Sequence, residues 1–421
     1  MSQDVVERAP VGGLLRTRTF GLLWIGQSTS AVGSAITSVA LPLVAISTLH
    51  AGPATVALLT AASWLPWLLI GLPVGVWVDR WPRRRTLLIA DLVSAAVLVV
   101  IPVAAWTDVL TVAMLLVAAL LAGTAGVFAN VAFNAFLPQL VRTEDLMEGN
   151  AKLQTSASIA LVVGPGLGGL LAQAAGAVSG VLIDAVTFLV SAACLLGLRS
   201  GPEPRPSPGD RPGMLRQIAE GIGFIMRGRL LQAMLVVAAL TNFAMLGITA
   251  LRIVFLVRTE GAAPGTAGLV IGVGSLGAIL GAALASRASR RFGSARTYLV
   301  ANVAAAPFVL LLPLGGHGWR LTLFAAGSFI ALAGATMSNV MTMTYRGSFV
   351  PAHLLGRVTA ASRIFVFGAV PLGAATAGLL ASTLGVQAAM WTLAVLYVIA
   401  PLPLLATEAR TDRDFPARPP G

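Results

Sequence analysis

Long apolar runs alternate with short polar breaks along the whole chain. About twelve of these runs reach the roughly 20 residues that one membrane crossing needs, at 20–48, 54–78, 86–106, 109–137, 151–175, 177–198, 230–256, 265–285, 297–314, 320–345, 358–383 and 386–406. A soluble helix of this length would carry a polar face recurring every 3.6 residues, and these runs carry none. One interval departs from the rhythm. Arg199–Arg229 opens with RSGPEPRPSPGDRPG, whose proline, glycine and charge predict a flexible linker. Leu215, Ile218, Ile222 and Ile225 then recur at helical spacing within 214–226, which predicts a short amphipathic helix at the membrane surface. The predicted organisation is an N-terminal tail (1–19), a six-helix bundle (20–198), a linker with its amphipathic helix (199–229), a second six-helix bundle (230–406) and a C-terminal tail (407–421).

Composition agrees with the pattern. Hydrophobic residues make up 57% of the 421 positions and charged residues 10%, against about a quarter charged in soluble domains. The net charge of +12 would suit nucleic acid, but its distribution does not. Basic residues gather on every second connection: Arg8, Arg16 and Arg18; Arg80 to Arg85; Arg142 and Lys152; Arg287, Arg290, Arg291 and Arg296; Arg346 and Arg357. Arg258, Arg320 and Arg252 are the exceptions. This is the positive-inside pattern. It predicts a multi-pass membrane protein with both termini cytoplasmic, and no cleaved signal peptide is expected. The partner expected from this pattern is the lipid bilayer, with no nucleic acid.

Enzymatic chemistry lacks its ingredients. Cys194 is the only cysteine, so neither a disulfide framework nor a cysteine metal site can form. His50, His317 and His353 fall in predicted loops on both sides, and no Gly-Lys-Ser/Thr phosphate loop is present. No metal, cofactor or direct use of ATP is therefore expected. Gly272-x-Gly274-x-x-Gly277 fits a dinucleotide fingerprint in spacing, but it sits inside an apolar run with no preceding strand, and reads as helix packing.

The two halves echo each other. Asn130, Leu140-Val141, Leu146, Gly164-Pro165 and Gly169-Leu170-Leu171-Ala172 are matched in order by Asn339, Phe349-Val350, Leu355, Val370-Pro371 and Gly378-Leu379-Leu380-Ala381. Two similar bundles imply a substrate site between them near the membrane midplane, with access alternating by rocking.

The densest polar feature is Gly71–Arg85, GLPVGVWVDRWPRRR. Gly75-x-x-x-Asp79-Arg80-x-x-Arg83-Arg84 is either a solvated charge run between helices or a conformational latch. It resembles the loop between helices two and three of the major facilitator superfamily, with Pro82 standing where glycine is usual. That resemblance implies an all-α membrane fold of twelve helices in two pseudo-symmetric bundles. It also implies a latch of Gly75, Asp79, Arg80 and Arg84, with Arg363 near the inner end of span eleven opposite Asp79. Small-residue spacing at Gly75 would permit close helix approach.

Gly164-Pro165-Gly166-Leu167-Gly168-Gly169 in span five reads as a kinked helix in tight contact. It also resembles the ending of the span-five signature of drug–proton antiporters, though Ala160 and Ala151 stand at two earlier glycine positions. Phe20 to Gly26, Gly33, Ala40-Leu41-Pro42, Ile183-Asp184-Ala185 and Leu355-Gly356-Arg357-Val358 are similar to the branch holding enterobactin exporters and macrolide efflux proteins. The resemblance implies a monomer of the bacterial inner membrane, with protons and a small-molecule substrate as partners, that performs proton-coupled efflux of an amphipathic compound such as an antibiotic or siderophore. An importer or lipid translocator of the same fold, and a transport-dead sensor, are the alternatives.

Ionisable residues at membrane depth are functional candidates because their burial costs several kcal/mol, at least ~2.5. Asp184 in span six and Arg252 in span seven could pair as an outer gate, or Asp184 could be the proton site; a fixed structural pair, or snorkelling by Arg252, is the plainer alternative. Span four (111–137) lacks the arginine common among antiporters, which leaves Asp184 the leading proton candidate. Asp91 is expected to meet arginines at the cytoplasmic interface. Gln27, Asn130, Asn134, Gln154, Asn242 and Asn339 are cavity-lining candidates or interhelical glue. Asn130 and Asn134, four apart, share one face.

Overall fold

A computed structural model describes residues 13–71, 73–198 and 214–415. Among them there is no strand, and twelve helical segments are long and apolar enough to cross a membrane. The helices are α1 (Arg18–Ser47), α2 (Pro53–Ile70), α3 (Pro73–Arg80), α4 (Arg83–Trp106), α5 (Val112–Leu140), α6 (Leu146–Ala175) and α7 (Ala177–Gly197). They continue as α8 (Met214–Ile225), α9 (Arg229–Ile253), α10 (Pro264–Phe292), α11 (Ser294–Leu299), α12 (Leu321–Phe349), α13 (Ala352–Leu384) and α14 (Val386–Ile399). The linker expected at 199–213 lies outside the described residues.

The chain divides into two compact units. Unit 1 takes residues up to 51, 62–208 and the opening turns of α10 (263–269); unit 2 takes 52–61, 209–262 and 270 onward. In unit 1, α1 packs along α6 and α7, and α4 packs between α5 and α7. Close approach there rests on small residues. A Cβ added at Gly164 would lie 2.3 Å from the Ala35 Cβ, and one at Gly168 would lie 2.7 Å from the Ile36 carbonyl oxygen. Without side chains on α6 at these points, the α1 backbone can seat directly on it, which is how apolar helices gain van der Waals contact in lipid. Pro165 stays inside a continuous α6. In unit 2, α9 lies against α13 and α14, and α12 against the segment before it. Gly274 and Gly277 bring α10 onto α12, where added Cβ atoms would meet Ser328 and the Phe329 carbonyl. Two glycines of the false dinucleotide fingerprint thus serve packing.

Three expected elements differ. The second span is not one helix: α2 ends at Ile70 and α3 restarts at Pro73. Proline lacks an N–H and is tolerated at the first position of a helix, in keeping with α3 starting at Pro73. Aromatic stacking then fixes α3 on α5, with the Phe128 ring between Trp77 (6.1 Å) and Trp81 (5.8 Å). The ninth span is also irregular. Only Ser294–Leu299 is α-helical; a π turn (Val300–Ala304) and a 3-10 stretch (Ala306–Leu311) complete it. Finally, α8 turns its apolar face to protein. Ile222, Phe224 and Ile225 join the core of unit 2, Gly221 sits against the Arg357 backbone, and Glu220 pairs with Arg357.

The segment expected as a C-terminal tail is docked as far as Phe415. The Asp414 carboxylate accepts from the Ser294 N–H (2.8 Å) and hydroxyl (3.2 Å) at the start of α11, satisfying donors that a helix N-terminus leaves open. The Phe415 ring packs on Tyr298 (5.8 Å) and Tyr345 (4.7 Å).

Candidate functional site

Unit 2 holds an open cavity of about 780 Å³ whose lining comes entirely from that unit. Four residues expected from sequence lie on it: Asn242 and Arg252 of α9, Asn339 of α12 and Arg363 of α13. Three others were not expected as site residues. Arg346 comes in the last turn of α12, with its Nε buried and without a hydrogen-bond partner. Asn302 sits in the π turn, where its amide donates to the Ser338 hydroxyl and the Tyr298 carbonyl, both at 2.9 Å. Tyr298, fully buried, forms part of the same wall. A π turn re-aims side chains relative to a regular helix. That widening is not visible in an apolar run read at helical period, so Asn302 could not be placed from sequence. Arg346 did stand out, as a topological charge; its place inside α12 depends on the helix running on to Phe349.

Unit 1 holds its polar groups differently. Asp184 is 2% exposed, at the contact of α7 with α1. The Thr187 hydroxyl lies 3.2 Å from its Oδ1 and the Thr37 hydroxyl stands beside it. Gly33 makes the space: a Cβ there would fall 2.5 Å from Asp184 Oδ1 and 2.1 Å from Thr187 Oγ1. Within unit 1 the surroundings of Asp184 are therefore hydroxyls. Asp91 is likewise buried, beside Ser191 between α4 and α7, and among the described residues it forms no ion pair with the arginines it was expected to meet.

Of the expected latch, Asp79 is half-buried on the last turn of α3 and Arg80 is exposed. Arg84 reaches back to α7: its Nε donates to the Leu195 carbonyl (2.8 Å) and an Nη to that of Leu196 (2.9 Å). A cation over the unsatisfied carbonyls of a helix C-terminus is favourable on both hydrogen-bonding and dipole grounds. Gly75 does not serve close approach here, because among the described residues no heavy atom lies within 4 Å of where its Cβ would be. Of the span-five glycines, Gly164 and Gly168 face α1, while Gly169 meets the Pro264 carbonyl at the start of α10, within unit 1. Pro165 is buried among them, its carbonyl against Gly268. Asn134 donates to the side chain (3.2 Å) and carbonyl (2.8 Å) of Asn130 on an exposed face of α5. Gln27 is half-buried on α1 and Gln154 is exposed on α6.

The twelve-helix fold and its two helical units are those of a major facilitator superfamily transporter, and similar solved structures agree. A nucleoside transporter, NupG, superposes with a TM-score of 0.79 at 12% identity, covering 92% of this chain and 99% of that one. A bacterial homologue of the human lysosomal transporter Spinster gives 0.71 at 15% identity, covering 95% and 98%. Residues 10–414 match the family described as transmembrane secretion effector, and the chain belongs to it. Among relatives, the multidrug efflux pump Tap of Mycobacterium tuberculosis is 27% identical over 404 residues, 94% of each chain. Macrolide efflux protein A of Streptococcus pyogenes is 29% identical over 238 residues, 55% of this chain and 57% of that one. The protein is thus a multi-pass bacterial membrane transporter with efflux pumps among its relatives.

Proposed function

We propose that the protein exports a small amphipathic compound, such as an antibiotic or siderophore, by alternating access driven by the proton gradient. The observation that carries this reading is the similarity to a multidrug efflux pump along nearly the whole chain. The cavity of unit 2 supports it, since about 780 Å³ suits a drug-sized solute. In this reading the protein lies in the inner membrane as a monomer with both termini cytoplasmic, in keeping with its basic connections. Asp184 takes up and releases the coupling proton, and Asp79 with Arg80 and Arg84 holds one state closed.

The test is accumulation of labelled amphipathic compounds in cells with and without the protein, each with and without a protonophore. Export predicts lower accumulation that the protonophore reverses. Higher accumulation would replace export by import, and no difference across a broad panel would count against multidrug export. Asp79→Asn is expected to leave membrane insertion intact and abolish the difference. Normal flux in that variant would remove Asp79 from the mechanism.

A further inference from the structure

The cavity of unit 2 carries three guanidinium groups, from Arg252, Arg346 and Arg363, and no carboxylate. None of the described acids of this unit lines the cavity: Glu220 pairs with Arg357, Glu260 with His317, Asp414 sits at the start of α11, Asp412 accepts from the Thr411 hydroxyl, and Glu408 lies near Tyr345. None of the three arginines has a hydrogen bond or ion pair among the described residues. Positive-inside topology explains some of this charge, but not all of it. Successive spans alternate in direction, so Arg346 at the end of α12 and Arg363 in the first third of α13 lie towards the side where α9 begins. Arg252 sits at the far end of α9, where the positive-inside rule places no cation. The three therefore run along the length of the cavity instead of gathering at its rim.

We infer that this cavity selects an anionic amphiphile, a carboxylate or phosphate on an apolar body. The inference rests on the transport reading and adds the charge class of the substrate. Guanidinium groups present planar, paired donors that match carboxylate and phosphate oxygens. A cationic solute would meet like charge in a low-dielectric site and be rejected. Carboxamides of Asn302 and Asn339 can donate to further oxygens, while Phe324 and Tyr397 offer apolar surface to the body. Movement of the anion along the cavity would pass from one arginine to the next, so that no single charge holds it too tightly for release.

Equilibrium binding to the full-length protein in phosphatidylcholine nanodiscs, corrected against empty discs, tests this with three matched probes. These are 1-pyrenebutyrate, its uncharged methyl ester, and the corresponding trimethylammonium analogue. The carboxylate is expected to bind about tenfold or more tightly than either of the others, by the energy of charged hydrogen bonds. Equal binding, preference for the ester or the cation, or no binding above empty discs would overturn the inference. This series uses the unaltered chain, so it does not depend on a variant folding. In variants that do fold, Arg252→Gln or Arg363→Gln should each weaken the carboxylate several-fold while leaving the ester unmoved, and Arg252→Lys should retain most of the preference. Displacement of the bound carboxylate by phosphatidylglycerol would assign the anion to a lipid headgroup; its persistence would assign it to a soluble solute. Failure of the transport reading is separate. A carboxylate that binds selectively yet is not moved in proteoliposomes under a proton gradient would sink export and leave the anion site standing.

Discussion

The two units treat charge in opposite ways. Unit 1 encloses acids within helix contacts: Asp184 and Asp91 are 2% and 3% exposed, and the space around Asp184 exists because Gly33 has no side chain. Unit 2 sets bases on an open cavity, and a π turn in its ninth span places Asn302 on the cavity wall. A carboxylate inside a tight helix contact can change its state only with some movement of the helices around it. A guanidinium on a cavity can meet a solute with no such movement. The difference therefore separates a group fit for coupling from groups fit for binding, a division of labour that belongs to the proposed function and can be broken by experiment.

The largest expected effect is on folding. In Gly33→Leu a side chain must enter the space held by Asp184 and Thr187, with contacts starting at 2.1 Å. Overpacking commonly costs about 1–3 kcal/mol, and here it also displaces a buried carboxylate. Yield of monodisperse protein from detergent should fall severely. Gly347→Leu is the matching change in unit 2, on the cavity wall with no neighbour within 4 Å of the added Cβ. It should fold near normally. Equal losses from the two would mean that packing does not distinguish the units.

Asp184→Asn comes next and probes coupling without disturbing shape. The carboxamide fills the same volume and can still meet the Thr187 hydroxyl, now 3.2 Å from Oδ1. The protein should therefore insert, and substrate should equilibrate in reconstituted vesicles. Its flux should no longer respond to an imposed pH gradient. An unchanged response would make Asp184 a structural group.

Much of this contrast was legible in the sequence. Twelve apolar runs, alternating basic connections and the Asp79-Arg80 pattern are enough to define the fold, because the bilayer leaves few structures able to satisfy the backbone. Asp184, Arg252, Asn242, Asn339 and Arg363 stood out because polar groups are expensive at membrane depth. What was hidden depended on departures from regular helix. The Gly71–Pro73 break, Asn302 in its π turn and the docking of Phe415 leave no periodic trace in an apolar run. Gly33 was visible as part of a family resemblance, but its reason, the carboxylate of a residue more than a hundred positions away, appears only once α1 and α7 are packed.

A smaller effect should follow from Phe415→Ala. This ring lies 5.8 Å from Tyr298 and 4.7 Å from Tyr345, and aromatic pairs contribute about 0.5–1.5 kcal/mol each beyond their buried area. Tyr298 also lines the cavity. The thermal midpoint should fall by a few degrees, and binding in unit 2 should weaken modestly. An unaltered midpoint would mean that the docked C-terminal segment adds nothing to the wall.

The smallest effect concerns two arginines at corresponding places, since Gly75-x-x-x-Asp79-Arg80 with Arg83-Arg84 has a weaker counterpart in Gly281-x-x-x-Ala285 with Arg290-Arg291. Arg84 donates to two carbonyls at the end of α7, at 2.8 and 2.9 Å. Its counterpart Arg291 lies over the ring of its own neighbour Phe292, 5.5 Å from the centroid. Capping by a half-exposed cation is worth about 0.3–1 kcal/mol, so Arg84→Gln should lower the thermal midpoint by a degree or two. Hydrogen exchange should quicken in the last turn of α7 and not in its first turns, because only the terminal carbonyls lose a partner. Arg84→Lys should restore part of the protection, since an ammonium can reach one carbonyl but cannot span two. Arg291→Gln should leave the ends of its neighbouring helices unchanged, as a cation–π contact between adjacent residues ties no second helix down. If Arg291→Gln perturbed exchange as much as Arg84→Gln, the two arginines would be equivalent anchors at the membrane surface, and the helix-capping role of Arg84 would fall.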